Sequence, residues 1–265
     1  MFNNDAQYCS DIIDVFTDLP TPLAHWPLNQ QHQLNDISGN DLHFELTAGN
    51  INVSVDPING QEFIYMDGTF QGRLHHNGRL TLTADYTIFF ALSHRHRGPI
   101  LLFGSSAGNT NKDLSLYVHS NLWHFYMFCA QSNCPNHQVS INHYFRDSVW
   151  NYMALTFDAT ANMLRLWRNG QLFGEYERSG TAASGTSGGY LFIGRHSESA
   201  EHTYTPEEHG RLACLQIYDQ TLRAIQIQKL ILQCQGKTSL EGKCSNGNYR
   251  SSIYTCMDVS QSKCI

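Results

Sequence analysis

The chain has 265 residues, a formal net charge of -6, 41% hydrophobic residues and only 15% charged ones. That length suits one large hydrophobic core with a small appendage, and the apolar share excludes intrinsic disorder. The low charge excludes a long coiled coil, the acidic balance argues against a nucleic-acid binder, and no apolar run approaches the ~18 residues of a membrane-spanning helix.

Short apolar, β-branched and aromatic runs separated by turn residues predict strands over 23–27, 42–46, 63–66, 79–83, 86–93, 100–104, 114–118, 122–129, 139–145, 150–157, 163–168, 171–177, 190–194 and 211–218. Many alternate with period 2, as in Leu114-Ser115-Leu116-Tyr117-Val118, which fits one buried face per strand. Asn169-Gly170 predicts a tight hairpin, because a type I′ turn needs positive φ at both central residues; Asn59-Gly60 and Asn77-Gly78 are weaker copies. One helix is predicted, capped by Thr221 and carrying Leu222, Ile225, Ile227, Leu230 and Ile231 on its apolar face. Residues 1–19 form an N-terminal extension, 20–233 one domain, and 234–265 a polar, cysteine-rich tail that needs disulfides to hold it. So many short strands predict an all-β, two-sheet antiparallel jelly-roll sandwich with one short helix and a disulfide-tied tail.

Several segments resemble the concanavalin-like jelly roll, in its laminin G-like and pentraxin-like branch. They are Leu23-Ala24-His25-Trp26-Pro27-Leu28 with Asp36-Ile37-Ser38-Gly39-Asn40, then Phe63-Ile64-Tyr65-Met66-Asp67-Gly68, and the Trp150–Phe157 run with Leu164-Arg165-Leu166-Trp167-Arg168-Asn169-Gly170. Leu191-Phe192-Ile193-Gly194 and the closing Ile217-Tyr218-Asp219 complete the series, which spans roughly residues 20–233. Phe89 and Met153 stand where pentraxins place a cysteine pair, so the resemblance is to a divergent laminin G-like domain. The fold family contains lectins and glycan-cleaving enzymes alike. The family's Glu-x-Asp-x-x-Glu hydrolase arrangement is absent, as are the Arg/Glu and Tyr/Lys strand motifs of a lyase. Glu45 and Asp85 are isolated, and Glu175 with Glu177 closes a hairpin. No catalytic residue is assigned.

Two patches of opposite charge are candidate binding sites. Arg73, His75, His76, Arg79, His94, Arg95, His96 and Arg97 form a basic, histidine-rich region suited to a sulfated or carboxylated glycan, and binding there is expected to strengthen below about pH 6.5. His94 and His96 also make a zinc half-site, which the interleaved Arg95 and Arg97 oppose. Glu198, Glu201, Glu207 and Glu208, with Asn111 and Asp113, read either as a calcium site or as solvated acidic loops. Trp123 and Tyr126 offer either a sugar-stacking face or core packing. Asn52 opens the sole N-glycosylation sequon, Asn52-Val53-Ser54.

The even set of eight cysteines, Cys9, Cys129, Cys134, Cys214, Cys234, Cys244, Cys256 and Cys264, fits an oxidised, extracellular or cell-surface protein whose export signal is not part of this sequence. Expected pairs are a local Cys129–Cys134 bridge, a Cys9–Cys234 clasp across the domain termini, and Cys214 with a tail cysteine. The functional expectation is a non-enzymatic module binding extracellular glycans or glycoproteins with calcium as its one candidate cofactor, monomeric or homo-oligomeric. The alternatives are a protein–protein adhesion module without sugar binding and a degenerate glycan-active enzyme.

Overall fold

In the computed structural model, residues 19–80, 84–94, 98–104, 112–119, 122–127, 137–141, 149–177, 189–194 and 210–236 are described. Two antiparallel sheets face each other. The first holds β1 (Ala24–Trp26), β3 (Val53–Val55), β4 (Glu62–Met66), β6 (Tyr86–His94), β11 (Trp150–Asp158), β12 (Met163–Arg168), β13 (Gln171–Glu177) and β15 (Gly210–Tyr218). Its order is β13-β12-β11-β6-β15-β4-β3, with β1 also paired to β15. The second holds β2 (Glu45–Ala48), β5 (Gln71–His75), β7 (Gly98–Gly104), β8 (Lys112–His119), β9 (Leu122–Met127), β10 (His137–Ile141) and β14 (Tyr190–Gly194), in the order β10-β9-β8-β7-β14-β5-β2. The two-sheet sandwich expected from the alternating runs is therefore present.

Alternation within β6 shows how the first sheet is covered on both faces. Tyr86, Ile88, Phe90 and Leu92 point into the core between the sheets, while Phe89 and Ala91 point outward. In β11, Met153, Leu155 and Phe157 go inward, and Trp150, Tyr152 and Ala154 outward. The outward set is covered by α1 (Ala224–Cys234), whose Ile227, Leu230 and Ile231 recur at helical spacing. Arg223, not Thr221, is the N-cap: its N–H donates to Gln226 Oε1 at 2.9 Å, whereas the Thr221 hydroxyl is spent on the Phe157 carbonyl. Ile225 lies off the packed face and is exposed.

Three further expectations need correction. Arg79 and Leu80 are not in a strand, because Asn77 and Gly78, with φ of 50° and 75°, turn the chain sharply after β5. β5 itself and β3 were not anticipated. Cys234 bonds to Cys214, across a separation of 20 residues, so it does not clasp Cys9. The other six cysteines lie outside the described residues.

β15 explains how that disulfide is placed. Its register against β6 shifts between Ala213 and Gln216, and Cys214 adopts a φ of 53°. Ala213 and Cys214 consequently both face the helix side, while Leu212, Leu215 and Ile217 stay in the inner core. The same bulge lets β15 pair with β4 in its first half and with β1 in its second.

Candidate functional site

β5 and β14 build a platform on the outer face of the second sheet, where His75 is exposed, Arg73 and Tyr190 are half-buried, and Gln71 and Phe192 are buried. Inward positions of β5 are Gly72 and Leu74; outward ones are Gln71, Arg73 and His75. Gly72 is required, since a Cβ there would lie 2.7 Å from Ile193 Cγ1. On β14, Leu191 and Ile193 enter the core, which turns Tyr190 and Phe192 outward beside β5. His75 stands directly across from Tyr190, and the two rings stack at 4.5 Å with 20° between their planes. The Arg73 guanidinium sits 5.7 Å from the same Tyr190 ring, a cation–π distance. Its other neighbour is Glu45 of β2, 3.2 Å away and largely in water.

The platform thus combines a held guanidinium, a carboxylate, an imidazole and an aromatic ring. Such a set can take carboxylate or sulfate on the guanidinium fork, hydroxyls on Glu45 and His75, and a sugar's C–H face on the accessible part of the half-buried Tyr190 ring.

Of the sequence-defined basic region, only Arg73 and His75 share the platform among the described residues. His76 is fully buried, and burial, reinforced by the positive charge of His75 and Arg79, pushes its pKa down to about 4. It therefore adds no charge in mildly acidic solution, and the expected strengthening below about pH 6.5 cannot come from it. Arg79 is directed to the carbonyls of Asn40 and Asp41, at 2.6 and 3.4 Å. His94 ends β6 in the opposite sheet, and Arg95, His96 and Arg97 lie outside the described residues. Tyr190 and His75 are level with Gly104, the last residue of β7, six strand residues or roughly 20 Å along that strand from Gly98.

Asp113 falls within β8 rather than in a loop. Asn111, Glu198, Glu201, Glu207 and Glu208 lie outside the described residues, as do the side chains of Trp123 and Tyr126. Among the described residues no group of three or more His, Cys, Asp or Glu side chains is arranged to hold a metal ion. Asn52 is exposed immediately before β3, the last strand of its sheet.

Other carboxylates have structural partners. Asp36 caps the Asp36–Asn40 turn, accepting from the N–H groups of His25, Ser38 and Leu42 and from the Ser38 hydroxyl. Burial alone would raise its pKa, but these hydrogen bonds hold it below the usual carboxylate value. Asp85 accepts the Ala159 N–H at 2.7 Å, and Glu175 accepts Arg165 Nε at 2.6 Å. Asp56, buried, receives Trp150 Nε1 at 3.0 Å and Arg211 at 3.1 Å, which pins the β3–β4 turn to the first sheet.

The family model described as the concanavalin A-like lectin/glucanases superfamily matches residues 66–228, more than half of the chain. The chain belongs to this superfamily. Among solved structures, the binding domain of botulinum neurotoxin serotype D aligns with a TM-score of 0.61 at 11% identity, over 82% of this chain and 52% of that one. The serotype D ligand binding domain in complex with N-acetylneuraminic acid gives 0.60 at 12% identity, over 82% and 51%. The binding domain of botulinum neurotoxin DC in complex with rat synaptotagmin II gives 0.58 at 13%, over 81% and 52%. The chain spans about half the length of these chains, and at such identities the likeness is one of fold. No curated protein matches the chain.

Within the concanavalin A-like sandwich, the residue that sequence reasoning missed is Tyr190. It opens a strand that was expected, but its pairing with His75 joins positions far apart in the chain, and no local pattern encodes that contact. The available signal was the alternation Gln71-Gly72-Arg73-Leu74-His75, which reads as a strand once Gly72 is accepted as an inward position.

Proposed function

We propose that this chain is a non-enzymatic recognition module, secreted or displayed at a cell surface, that binds acidic extracellular glycans on the β5–β14 platform. The observation that carries this reading is Arg73 held over the Tyr190 ring, with His75 stacked on that ring and Glu45 beside it, all on an accessible sheet face. A pre-positioned guanidinium loses less freedom on binding a carboxylate or sulfate than a free one. The superfamily includes both lectins and glucanases, and a structural neighbour in complex with N-acetylneuraminic acid adds support for a carboxylated sugar. The Cys214–Cys234 disulfide favours an oxidising compartment. A calcium contribution belongs to this proposal only through Asn111, Asp113, Glu198, Glu201, Glu207 and Glu208, and repeating the binding assay with a chelator tests it.

The test is titration of sialyllactose and of a heparin fragment, at low and high salt, into the parent and into Arg73→Ala and Tyr190→Ala. Loss of one charge-assisted contact should weaken binding about tenfold or more in Arg73→Ala, and salt should weaken the parent. Equal affinity of parent and Arg73→Ala for both ligands would refute the site.

A second reading, a protein-binding module, has one observation in its favour. Ile58, at the tip of the β3–β4 turn, is 87% exposed beside the exposed Val55. Retained partner capture by an Arg73→Ala variant and loss in Ile58→Ser would support that reading instead.

A further inference from the structure

β3 is the last strand of the first sheet, paired to β4 on one side and to no other strand among the described residues. Its two flanking residues bond to β4: the Tyr65 N–H donates to the Asn52 carbonyl and the Asp56 N–H to the Gln61 carbonyl, both at 2.8 Å. In an antiparallel pair the bonded positions recur at every second residue, so Ser54 shares them. The N–H and C=O groups of Val53 and Val55 then turn to the outer edge. Such an edge is a template on which another chain can add a strand.

Strands at other sheet ends carry charge that opposes this. β2, at the end of the second sheet, has Glu45, and β13, at the other end of the first, has Glu175 and Glu177. Asn52-Val53-Ser54-Val55 has no charge, and Pro57 comes only after the strand. Val55 is 53% exposed, and the exposed Ile58 follows it at the tip of the turn. In place of a charge, this edge carries the Asn-x-Ser sequence.

The side chains of that sequence are placed to accept a modification. Val53 packs on the inner core, so Asn52 and Ser54 project from the outer face, beside Tyr65 and Phe63 of β4. Both are exposed, and neither side chain makes a hydrogen bond among the described residues. A glycan on the Asn52 amide therefore displaces no packed side chain.

We propose that Asn52 is N-glycosylated and that its glycan shields the β3 edge from strand addition. The donor is an oligosaccharide joined through its anomeric carbon to a lipid pyrophosphate. Asn52 Nδ2 attacks that carbon, and the new C–N bond replaces the C–O bond. The lipid pyrophosphate leaves with the electron pair, and one amide proton passes to a base of the transferase. Ser54, two residues on and on the same face, supplies the hydroxyl that marks the acceptor. The glycan is bulky and solubilising, and it stands beside the two outward-turned backbone positions, where an incoming strand would meet it. The inference shares with the proposed function only passage through an oxidising secretory compartment, to which the Cys214–Cys234 disulfide points, and not the Arg73 platform.

The test uses the full chain, led by an appended export signal into the secretory pathway of a eukaryotic cell, with retained and secreted protein both collected. Amidase release of N-glycans should lower the mass of the parent and of Ser54→Thr and convert Asn52 to Asp; Asn52→Gln and Ser54→Ala should show no mass change. At equal concentration, the two unglycosylated variants, shown folded by circular dichroism, should form severalfold more aggregate than the parent by light scattering. Should they not fold, trimming the folded parent to a single sugar with an endoglycosidase gives the same comparison. Adding Val55→Lys to Asn52→Gln returns a charge to the edge and should restore the parent's behaviour. An unmodified Asn52 in both retained and secreted parent would overturn the site, and equal aggregation with and without the glycan would overturn its shielding role. Sialyllactose and heparin-fragment binding should be equal in the parent and Asn52→Gln, so failure here leaves the Arg73 platform standing, and failure of that platform leaves this site standing.

Discussion

Lowering the pH from 7 to 5 protonates an unfolded histidine, whose pKa is near 6.5, but leaves the buried imidazole of His76 neutral in the folded chain at about 4. Between those two values the unfolded state binds the extra proton, so stability falls as the pH falls. The structural cause is specific. Nδ1 accepts the Leu80 N–H at 3.4 Å, which leaves the ring proton on Nε2, and Nε2 is buried without a partner among the described residues. Phe103 meets the ring edge-on, and Arg79 and His75 oppose a second positive charge. Over this interval the linkage amounts to about 2 kcal/mol, a sizeable part of a typical domain's stability. Urea unfolding of the parent and of His76→Leu, measured at several pH values, isolates it, because His25, whose pKa burial likewise lowers to about 4, is common to both chains and cancels. The parent should lose about 2 kcal/mol more than the variant between pH 7 and 5. Parallel pH profiles would show that the imidazole is not held neutral and would refute the reasoning.

Two other expectations concern what holds the fold together. Asp56→Ala strands Arg211 and leaves the Trp150 indole N–H unmatched, and should cost about 2–3 kcal/mol in denaturant unfolding, somewhat below a fully buried pair because Arg211 is partly exposed; a change under half of that would mean water replaces the carboxylate. Removing the Cys214–Cys234 bridge by substituting both with Ala should cost about 3 kcal/mol for a loop of that length on the chain-entropy account, read as a lower unfolding midpoint with the sandwich retained by circular dichroism.

What could be read from the sequence follows the range of the interactions concerned. The β12–β13 hairpin was legible because Asn169 and Gly170 take φ of 51° and 78° for purely local reasons. The long alternating runs of β6 and β11 were legible because burial on the inner face repeats every second residue. Less legible was the second burial layer: Phe89, Ala91 and Trp150 are apolar for α1, not for the inter-sheet core, and periodicity alone cannot separate two covered faces from one. β5 was missed because its charged outward residues outweigh a Gly and a Leu on the inward side.

By itself, then, the sequence determined the class of architecture, the principal hairpin, the closing helix and the presence of basic residues near positions 73–79. Tertiary structure decided which of those residues share a surface. It buried His76, turned Arg79 to the Asn40 and Asp41 carbonyls, carried His94 to the other sheet, and brought Tyr190 against His75 and Arg73. It likewise bonded Cys214 to Cys234 and set His25 beside Gln216 above that bridge. The reason is common to all of these: alternation assigns a side chain to a face, but its neighbours on that face come from strands distant in the chain, and only the pairing of the sheets supplies them.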